Sequence, residues 1–268
     1  MWRLVSAAAI IGFGVSRIEL GGVWDVLLKT SPPLAALSFV LLLAGQAVSG
    51  LRWSTIAHRL GSVTETGWFV LTYLRCCFYN VFLPTGIGGD AVRVAALRNE
   101  VGLRESGRSV VLDRATGLLA LCVTGALLLP WTPYLDTVPF AQIAACVLGI
   151  VALLTVMVIA TRGDWLPLVV TTVAFEVLWC GGIWVLARAL RIDLPVAALP
   201  AITVIVALAI ALPVSLGGNG TREAGFVAAL APLGFATHDA VALGIAFGAV
   251  LAIVGLCGAP LPIRTLVK

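Results

Sequence analysis

The sequence predicts an all-α membrane protein with several transmembrane helices, and its composition and the length of its apolar segments carry the prediction. Hydrophobic residues fill 60% of the 268 positions and charged residues fill 11%, and the mean hydropathy is +1.08. A soluble domain carries about 25% charged residues, so this chain has too few to cover a globular surface. Apolar runs such as 33–50 and 140–160 approach or reach the roughly 20 residues that a helix needs to cross a bilayer.

Eight apolar segments divide the chain, and most of the joints between them are short and polar. Because such joints leave no room for a soluble domain, we expect residues 1–268 to form one integral membrane domain. Six segments are expected to cross the membrane, and two are expected to enter and leave on the same side. In chain order the segments are 1–16, 34–57, 66–83, 108–130, 138–161, 165–190, 195–213 and 237–258.

Two related motifs, LPTGIGGDAVR (83–93) and LPVSLGGNGTR (212–222), interrupt apolar segments. A shift of 129 positions superimposes five identical residues and places Asp90 on Asn219, and with a further slip of two residues 109–121 lies over 240–252. These matches predict an internal repeat with halves of about 66–130 and 195–258. Corresponding interrupted segments in two halves point to a transporter binding site. The identical pairs are Leu83 and Leu212, Pro84 and Pro213, Gly88 and Gly217, Gly89 and Gly218, and Arg93 and Arg222.

The helix that restarts at Asp90 is too short to cross the bilayer. About nine residues precede the next cluster of charges, and they would extend about 14 Å as a helix, against about 30 Å of hydrocarbon. Because Arg98, Arg104 and Arg108 must reach water, we expect the chain to enter the membrane, turn at 84–89 and return to the same side as a re-entrant helical hairpin. The second motif is expected to form a similar hairpin.

The basic residues are spread unevenly between the two faces that this topology creates. The richer face should be cytoplasmic, which places both chain termini in the cytoplasm. The first hairpin then opens to the cytoplasm and the second to the opposite side, so we expect an inverted repeat. If 66–83 and 195–213 cross fully instead, the repeat is parallel. The richer face holds Arg3, Arg52, Arg59, Arg98, Arg104, Arg108, Arg162, Arg264 and Lys268, and the other face holds Arg17, Lys29, Arg188 and Arg191.

The glycine turns break the helices at membrane depth, where non-helical backbone is tolerated only inside protein or beside a watery cavity. They are therefore expected to line a cavity, into which the helices starting at Asp90 and near Thr221 direct free N–H groups and the positive ends of their dipoles. Arg93 and Arg222 lie one turn further along and add a full charge each, so a phosphate group is the expected ligand. Asp90 and Asn219 are expected to cap these helices, which is compatible with ligand contact.

Other ionisable residues lie within apolar segments, where a charge costs roughly 2.5–3.5 kcal/mol at a helix centre and needs a partner or a cavity. Asp113 and Arg114 lie four to six residues into their segment, within reach of the cytoplasmic interface. Glu176 is the only charge between Asp164 and Arg188. It is a candidate counter-ion for a buried arginine or a proton-coupling group, and a structural salt bridge is the alternative.

The chain carries no motif of a soluble active site: no GxSxG elbow, no P-loop and no HExxH. We therefore assign no catalytic residue, no metal ligand and no cofactor. The net charge of +4 comes mostly from arginines scattered between the segments. The positive-inside bias explains these arginines without a nucleic-acid partner.

Three stretches resemble the motifs of the lysylphosphatidylglycerol synthase transmembrane-region family: NVFLPTGIGGDAVRVAAL (80–97), SVVLDRATGLLAL (109–121) and LPVSLGGNGTREAGFVAAL (212–230). The likeness covers roughly residues 34–260. It implies a multi-pass protein of a bacterial or archaeal cytoplasmic membrane that moves, or helps to process, a lipid with an anionic headgroup. Because no soluble transferase domain follows Lys268, lysine transfer from tRNA is not expected. The positions that carry the family pattern are Pro84, Gly88, Gly89, Asp90, Arg93, Asp113, Arg114, Gly217, Gly218, Arg222 and Glu223.

The expected function is lipid translocation of the flippase type. A cavity between the hairpins would admit the phosphate-bearing headgroup of a phospholipid, polyprenyl-phosphate lipid or glycolipid, and symmetric repeats favour such transport through alternating access. The alternatives are an intramembrane lipid-linked glycosyl or headgroup transferase, with Asp90, Asp113 or Glu176 as general base, and a non-catalytic partner of a lipid-modifying enzyme. A lipid-synthesising enzyme and a second copy of the chain are the candidate protein partners. Glu176 and Asn219 join the family-pattern positions as candidate binding residues.

Overall fold

The computed structural model describes residues 20–82, 88–128, 166–211 and 220–259, and every regular element in these ranges is a helix. The all-helical class predicted from the sequence is therefore confirmed. Two short 3₁₀ turns lie at Val196–Ala198 and Ala231–Leu233. The helices are α1 (Leu20–Leu28), α2 (Pro32–Arg59), α3 (Thr66–Phe82), α4 (Gly88–Leu128), α5 (Leu166–Ala189), α6 (Leu199–Ala211), α7 (Thr221–Leu230) and α8 (Thr237–Gly258).

Three of the described helices, α2, α5 and α8, are long and apolar enough to cross a membrane. The shortest of them, α8, has 22 residues and extends about 33 Å, slightly more than the hydrocarbon thickness. Their bounds agree closely with the predicted segments 34–57, 165–190 and 237–258. The predicted total of six crossing helices stays a prediction, because 1–19 and 129–165 lie outside the described residues. Both chain termini lie outside them as well.

Helices α2 and α5 form an antiparallel pair at the centre of the fold. At one end the Ser31 N–H donates to the Ala189 carbonyl over 2.9 Å, and at the other end Ile56 packs against Leu168. Between them the Ser38 hydroxyl donates to the Gly182 carbonyl over 2.8 Å. Small residues let the two backbones approach closely, as is usual between membrane helices.

The first motif-bearing unit consists of α3 and α4, and α4 has two arms. Residue Gly102 breaks α4 with φ 84° and ψ 160°, values that favour glycine. The first arm, 88–101, returns along α3: the Gly89 N–H donates to Asn80 Oδ1 over 2.8 Å, and Leu97 packs in the cluster that contains Tyr73. The second arm, 103–128, then folds back on the first, since the Ser106 hydroxyl donates to the Val94 carbonyl over 2.8 Å.

The second motif-bearing unit consists of α6, α7 and α8. Helix α7 returns along α6, where a Cβ on Gly225 would lie 2.9 Å from the Ala209 Cβ. Helix α8 then folds back on α7, with the rings of Phe226 and Phe247 5.7 Å apart at their centroids. Both turns, 83–87 and 212–219, lie outside the described residues. The larger buried apolar cluster joins this unit to α2 and α5.

Candidate functional site: a buried cluster of arginine and aspartate

Asp113 ties three helical segments together from a fully buried position. Its Oδ1 accepts from Arg52 Nε and its Oδ2 from Arg93 Nη2, each over 2.7 Å. Arg52 comes from α2, Arg93 from the first arm of α4 and Asp113 from the second arm, where it is 0% exposed. Charge-assisted hydrogen bonds of this length are strong, so both carboxylate oxygens are held in place. The carboxylate is therefore enclosed by protein.

The guanidinium group of Arg93 lies between two aromatic rings. Its Cζ is 4.4 Å from the Trp53 ring centroid and 4.7 Å from that of Tyr73, and the residue is 1% exposed. Arg52 has a similar contact, with its Cζ 5.2 Å from the Phe175 ring centroid. A desolvated cation gains about 2 kcal/mol or more from such a ring, which offsets part of the free energy lost by removing it from water.

Asp90 extends the cluster towards the protein surface. Its Oδ2 accepts from Arg114 Nε over 3.0 Å, and its Oδ1 accepts from Arg93 Nη1 over 3.3 Å. The Arg114 side chain is 50% exposed, whereas that of Asp90 is 17% exposed. Arg114 is therefore the most exposed cation of the cluster.

The five charged residues form one chain with an excess of positive charge. The order of contacts is Arg52, Asp113, Arg93, Asp90 and Arg114, so three arginines face two aspartates and the formal sum is +1. Asp90 lies twelve residues before the break in α4, or about 18 Å along a helix. An excess of one positive charge makes the cluster electrostatically complementary to an anion.

The predicted capping role of Asp90 is wrong. Helix α4 begins at Gly88, so Asp90 is its third residue, and its carboxylate bonds the side chains of Arg93 and Arg114. In the second unit the Gly220 N–H donates to Glu223 Oε2 over 2.5 Å, so Glu223 accepts the hydrogen bond of the N-cap N–H that precedes α7. Asn219, the predicted cap there, lies outside the described residues.

Arg222 occupies the position in the second unit that matches Arg93. Its Nη2 lies 2.7 Å from Glu223 Oε1, and its Nε donates to the Gly244 carbonyl over 3.0 Å. Gly244 is the residue that the sequence alignment places on Asp113. A carbonyl therefore takes the place of the carboxylate, and Glu223 supplies the negative charge.

Glu176 lies apart from the arginine and aspartate cluster. Its Oε2 accepts from the Thr124 hydroxyl over 2.7 Å, and its Oε1 is buried with no hydrogen-bond partner among the described residues. It lines a cavity of about 180 Å³ between α4 and α5, with Thr116 and Thr172. The described contacts of Glu176 are therefore with threonine and not with the arginine expected as its counter-ion.

The remaining predicted residues divide between those that are described and those that are not. Gly88 and Gly89 are buried at the start of α4, and a Cβ on Gly89 would lie 2.5 Å from the Cys76 carbonyl oxygen. Both therefore allow α4 to pack closely on α3. The others, Pro84, Gly217 and Gly218, lie outside the described residues.

Sequence reasoning missed Arg52 and the aromatic residues around Arg93. Arg52 was counted among the basic residues of the cytoplasmic face and not as a site residue, but its side chain turns inward and bonds Asp113. One signal was available: Arg52 lies seven residues before the end of α2 at Arg59, about two turns inside the helix. Trp53 and Tyr73 gave no comparable signal, because aromatic residues are common in apolar helices.

The model of one protein family, described as Lysylphosphatidylglycerol synthase TM region, matches residues 1–162. This is more than half of the 268 residues. The chain belongs to this family. No curated protein matches it.

Membership of the lysylphosphatidylglycerol synthase transmembrane-region family agrees with the resemblance read from the sequence. The protein is an integral membrane protein, and the family indicates a function related to membrane lipids. The motifs at 80–97 and 109–121 fall within the matched residues and contain four of the five clustered charges. The motif at 212–230 lies beyond the matched residues, so its likeness to the family rests only on the resemblance of its residues described above.

Proposed function

We propose that the protein moves a lipid with an anionic, phosphate-bearing headgroup between the two leaflets of the membrane. The observation that carries the proposal is the cluster of five charges with a formal sum of +1, placed about 18 Å along a helix from the break at Gly102. Buried ionisable groups at such depth are expensive and tend to mark substrate pathways. Family membership adds a lipid-related setting.

Arg114 is the proposed contact for the headgroup. Half of its side chain is exposed, and Asp90 holds the rest in position. A planar guanidinium matches a phosphate group with two parallel hydrogen bonds. Arg93 and Arg52 would act behind it, since both are buried against Asp113 and together keep the cluster positive.

The two motif-bearing units are proposed to form re-entrant hairpins of an inverted repeat, and contacts at the ends of the α2–α5 pair support this. Glu100, near the end of the first α4 arm, accepts from the Val63 N–H over 2.7 Å, which places the open end of that unit beside Arg59, the last residue of α2. Helix α6 begins ten residues after Ala189, whose carbonyl bonds Ser31 at the other end of α2. Units that open towards opposite ends suit alternating access.

The experiment is reconstitution in liposomes with labelled lipids of defined headgroup, scored separately for leaflet exchange and for a new covalent product. We expect exchange of anionic phospholipid, with R114Q losing at least tenfold in rate. Arg108→Gln is the matched control, because Arg108 is a comparably exposed arginine whose one ion pair among the described residues is with Glu105 on the same helix. Product without exchange would replace the proposal with a transferase function, and equal rates for both variants would remove Arg114 from the site.

A further inference from the structure

We propose that Glu176 is a proton-binding site whose protonation state is coupled to the arginine and aspartate cluster through Arg52. The claim that the proton drives lipid movement rests on the proposed function. The claim that Glu176 binds a proton does not. The residue is 7% exposed and lines the cavity between α4 and α5, and its Oε1 is buried with no hydrogen-bond partner among the described residues.

The surroundings of Glu176 suit a proton better than a metal ion. The hydroxyl groups of Thr116 and Thr172 donate to carbonyls of their own helices, each over 2.7 Å, and the remaining walls include Ala120, Val123 and Val173. A metal ion needs several oxygen ligands around it, whereas a proton needs one carboxylate oxygen and access to water. Proton uptake forms an O–H bond at Oε1 and leaves a neutral acid, and release returns the proton to cavity water.

Arg52 is the charged group that can respond to this change. Its Nε bonds Asp113, but its Nη1 is buried with no hydrogen-bond partner among the described residues. Its Cζ lies 5.2 Å from the ring of Phe175, the residue next to Glu176. The Arg52 guanidinium thus contacts both the helix that carries Glu176, through Phe175, and the Asp113 carboxylate.

Within the described part of the chain, the other elements that pack against α5 bring no competing charge close to Glu176. Helix α6 has no ionisable residue along Leu199–Ala211. Helix α8 carries its charges in the first turn, at His238 and Asp239, whereas its contact with α5 is further along, where Trp179 meets Phe247. Helix α4 contributes Asp113, which already bonds Arg52, and Cys180 lies one turn along α5 itself.

Two arrangements follow. In the structure Arg52 bonds Asp113, and we assign this arrangement to protonated Glu176. When Glu176 loses its proton, the buried carboxylate attracts Arg52 away from Asp113, which then keeps only Arg93. The charge distribution at the proposed headgroup site therefore changes when Glu176 gains or loses its proton. A ligand that favours one arrangement also changes the proton affinity of Glu176.

The first test measures the proton directly and needs no transport. Infrared difference spectra of the purified protein after a pH change should show the carbonyl band of a protonated carboxylic acid, and E176Q should lose it. The variant E176D should keep the band at a shifted frequency, which identifies the group even if E176Q does not fold. A band that persists unchanged in a folded E176Q, or that is missing from the wild type, would overturn the proton site.

The second test measures coupling in liposomes with a pH gradient of about one unit across the membrane. One unit corresponds to a tenfold ratio per proton, so a lipid moved with one proton should become up to about tenfold unequal between leaflets. E176Q should give equal leaflets, and E105Q, which changes a half-buried carboxylate outside the cluster, should behave as wild type. Exchange that ends in equal leaflets for the wild type would refute the coupling and leave lipid movement standing, whereas absence of exchange in every variant would refute the proposed function.

Discussion

A comparison of Arg93→Gln with Arg114→Gln distinguishes the contribution of the buried part of the cluster to stability from that of its exposed part. Arg93 is 1% exposed and bonds the fully buried Asp113 over 2.7 Å. Its removal leaves Asp113 with one partner, and breaking a buried ion pair costs about 3–5 kcal/mol. Arg114 is 50% exposed, and an ion pair of that kind contributes about 0–1 kcal/mol. Both variants should lose lipid movement, but only R93Q should lose much stability.

The assay is thermal unfolding and lipid exchange on the same purified variants. A loss of 3–5 kcal/mol corresponds to a fall in Tm of roughly 6–20 °C for a chain of this size, and R114Q should fall by less than about 4 °C. A double-mutant cycle between R93Q and D113N should give a coupling energy within the range of about 0.5–3 kcal/mol that contacting residues show. An R93Q protein as stable as the wild type, or a cycle with no coupling, would refute the description of Asp113 as the centre of a buried network.

Two further predictions concern the first motif-bearing unit. Gly89→Ala should destabilise the protein by about 1–3 kcal/mol, because the new Cβ would lie 2.5 Å from the Cys76 carbonyl oxygen. The control Gly107→Ala, where a Cβ meets nothing within 4 Å, should be neutral or stabilising in the same thermal assay. Equal effects of the two substitutions would contradict the close packing of α3 on α4. Burial on its own raises the pKa of Glu100, but hydrogen bonds from Val63, Thr64 and Ser62 outweigh it and lower the pKa. The stability that Glu100 contributes is therefore present above its ordinary pKa of 4.5 and is lost as the pH falls through the lowered folded value. Unfolding measured down through this range should show a weaker pH dependence for E100Q, and an identical dependence would contradict the assignment.

The sequence predicted the long helices well, because each is an uninterrupted apolar run. The resemblance to the family also placed Asp90, Arg93, Asp113 and Arg114 among the candidate binding residues, and the structure brings these four together. The partner of each charge could not be read from the sequence. Arg52 and Asp113 are 61 positions apart along the chain and meet only because α2 packs on the second arm of α4.

The role of an individual polar residue depended on where its helix begins, which local patterns fix only to within a residue or two. Asp90 was expected to cap a helix that in fact begins at Gly88, and this shift turns its carboxylate from the backbone to Arg114. Glu176 was expected to be either a counter-ion for a buried arginine or a proton-coupling group, and the packing of α5 on α4 places its Oε2 on Thr124. Both outcomes follow from tertiary packing.

The two motif-bearing units use matching arginines with different partners, and this difference has a consequence for transport. Arg93 bonds the carboxylate of Asp113, whereas Arg222 bonds the carbonyl of Gly244. A carbonyl carries no full charge, so Glu223 must balance Arg222 from the neighbouring position, and its other oxygen accepts from the first turn of α7. Arg222 and Glu223 then have a formal sum of zero, against +1 for the cluster of five charges. On the proposed function, an anionic headgroup that meets both sites in turn would be held more strongly at the cluster, so the two proposed repeat halves would present unequal sites.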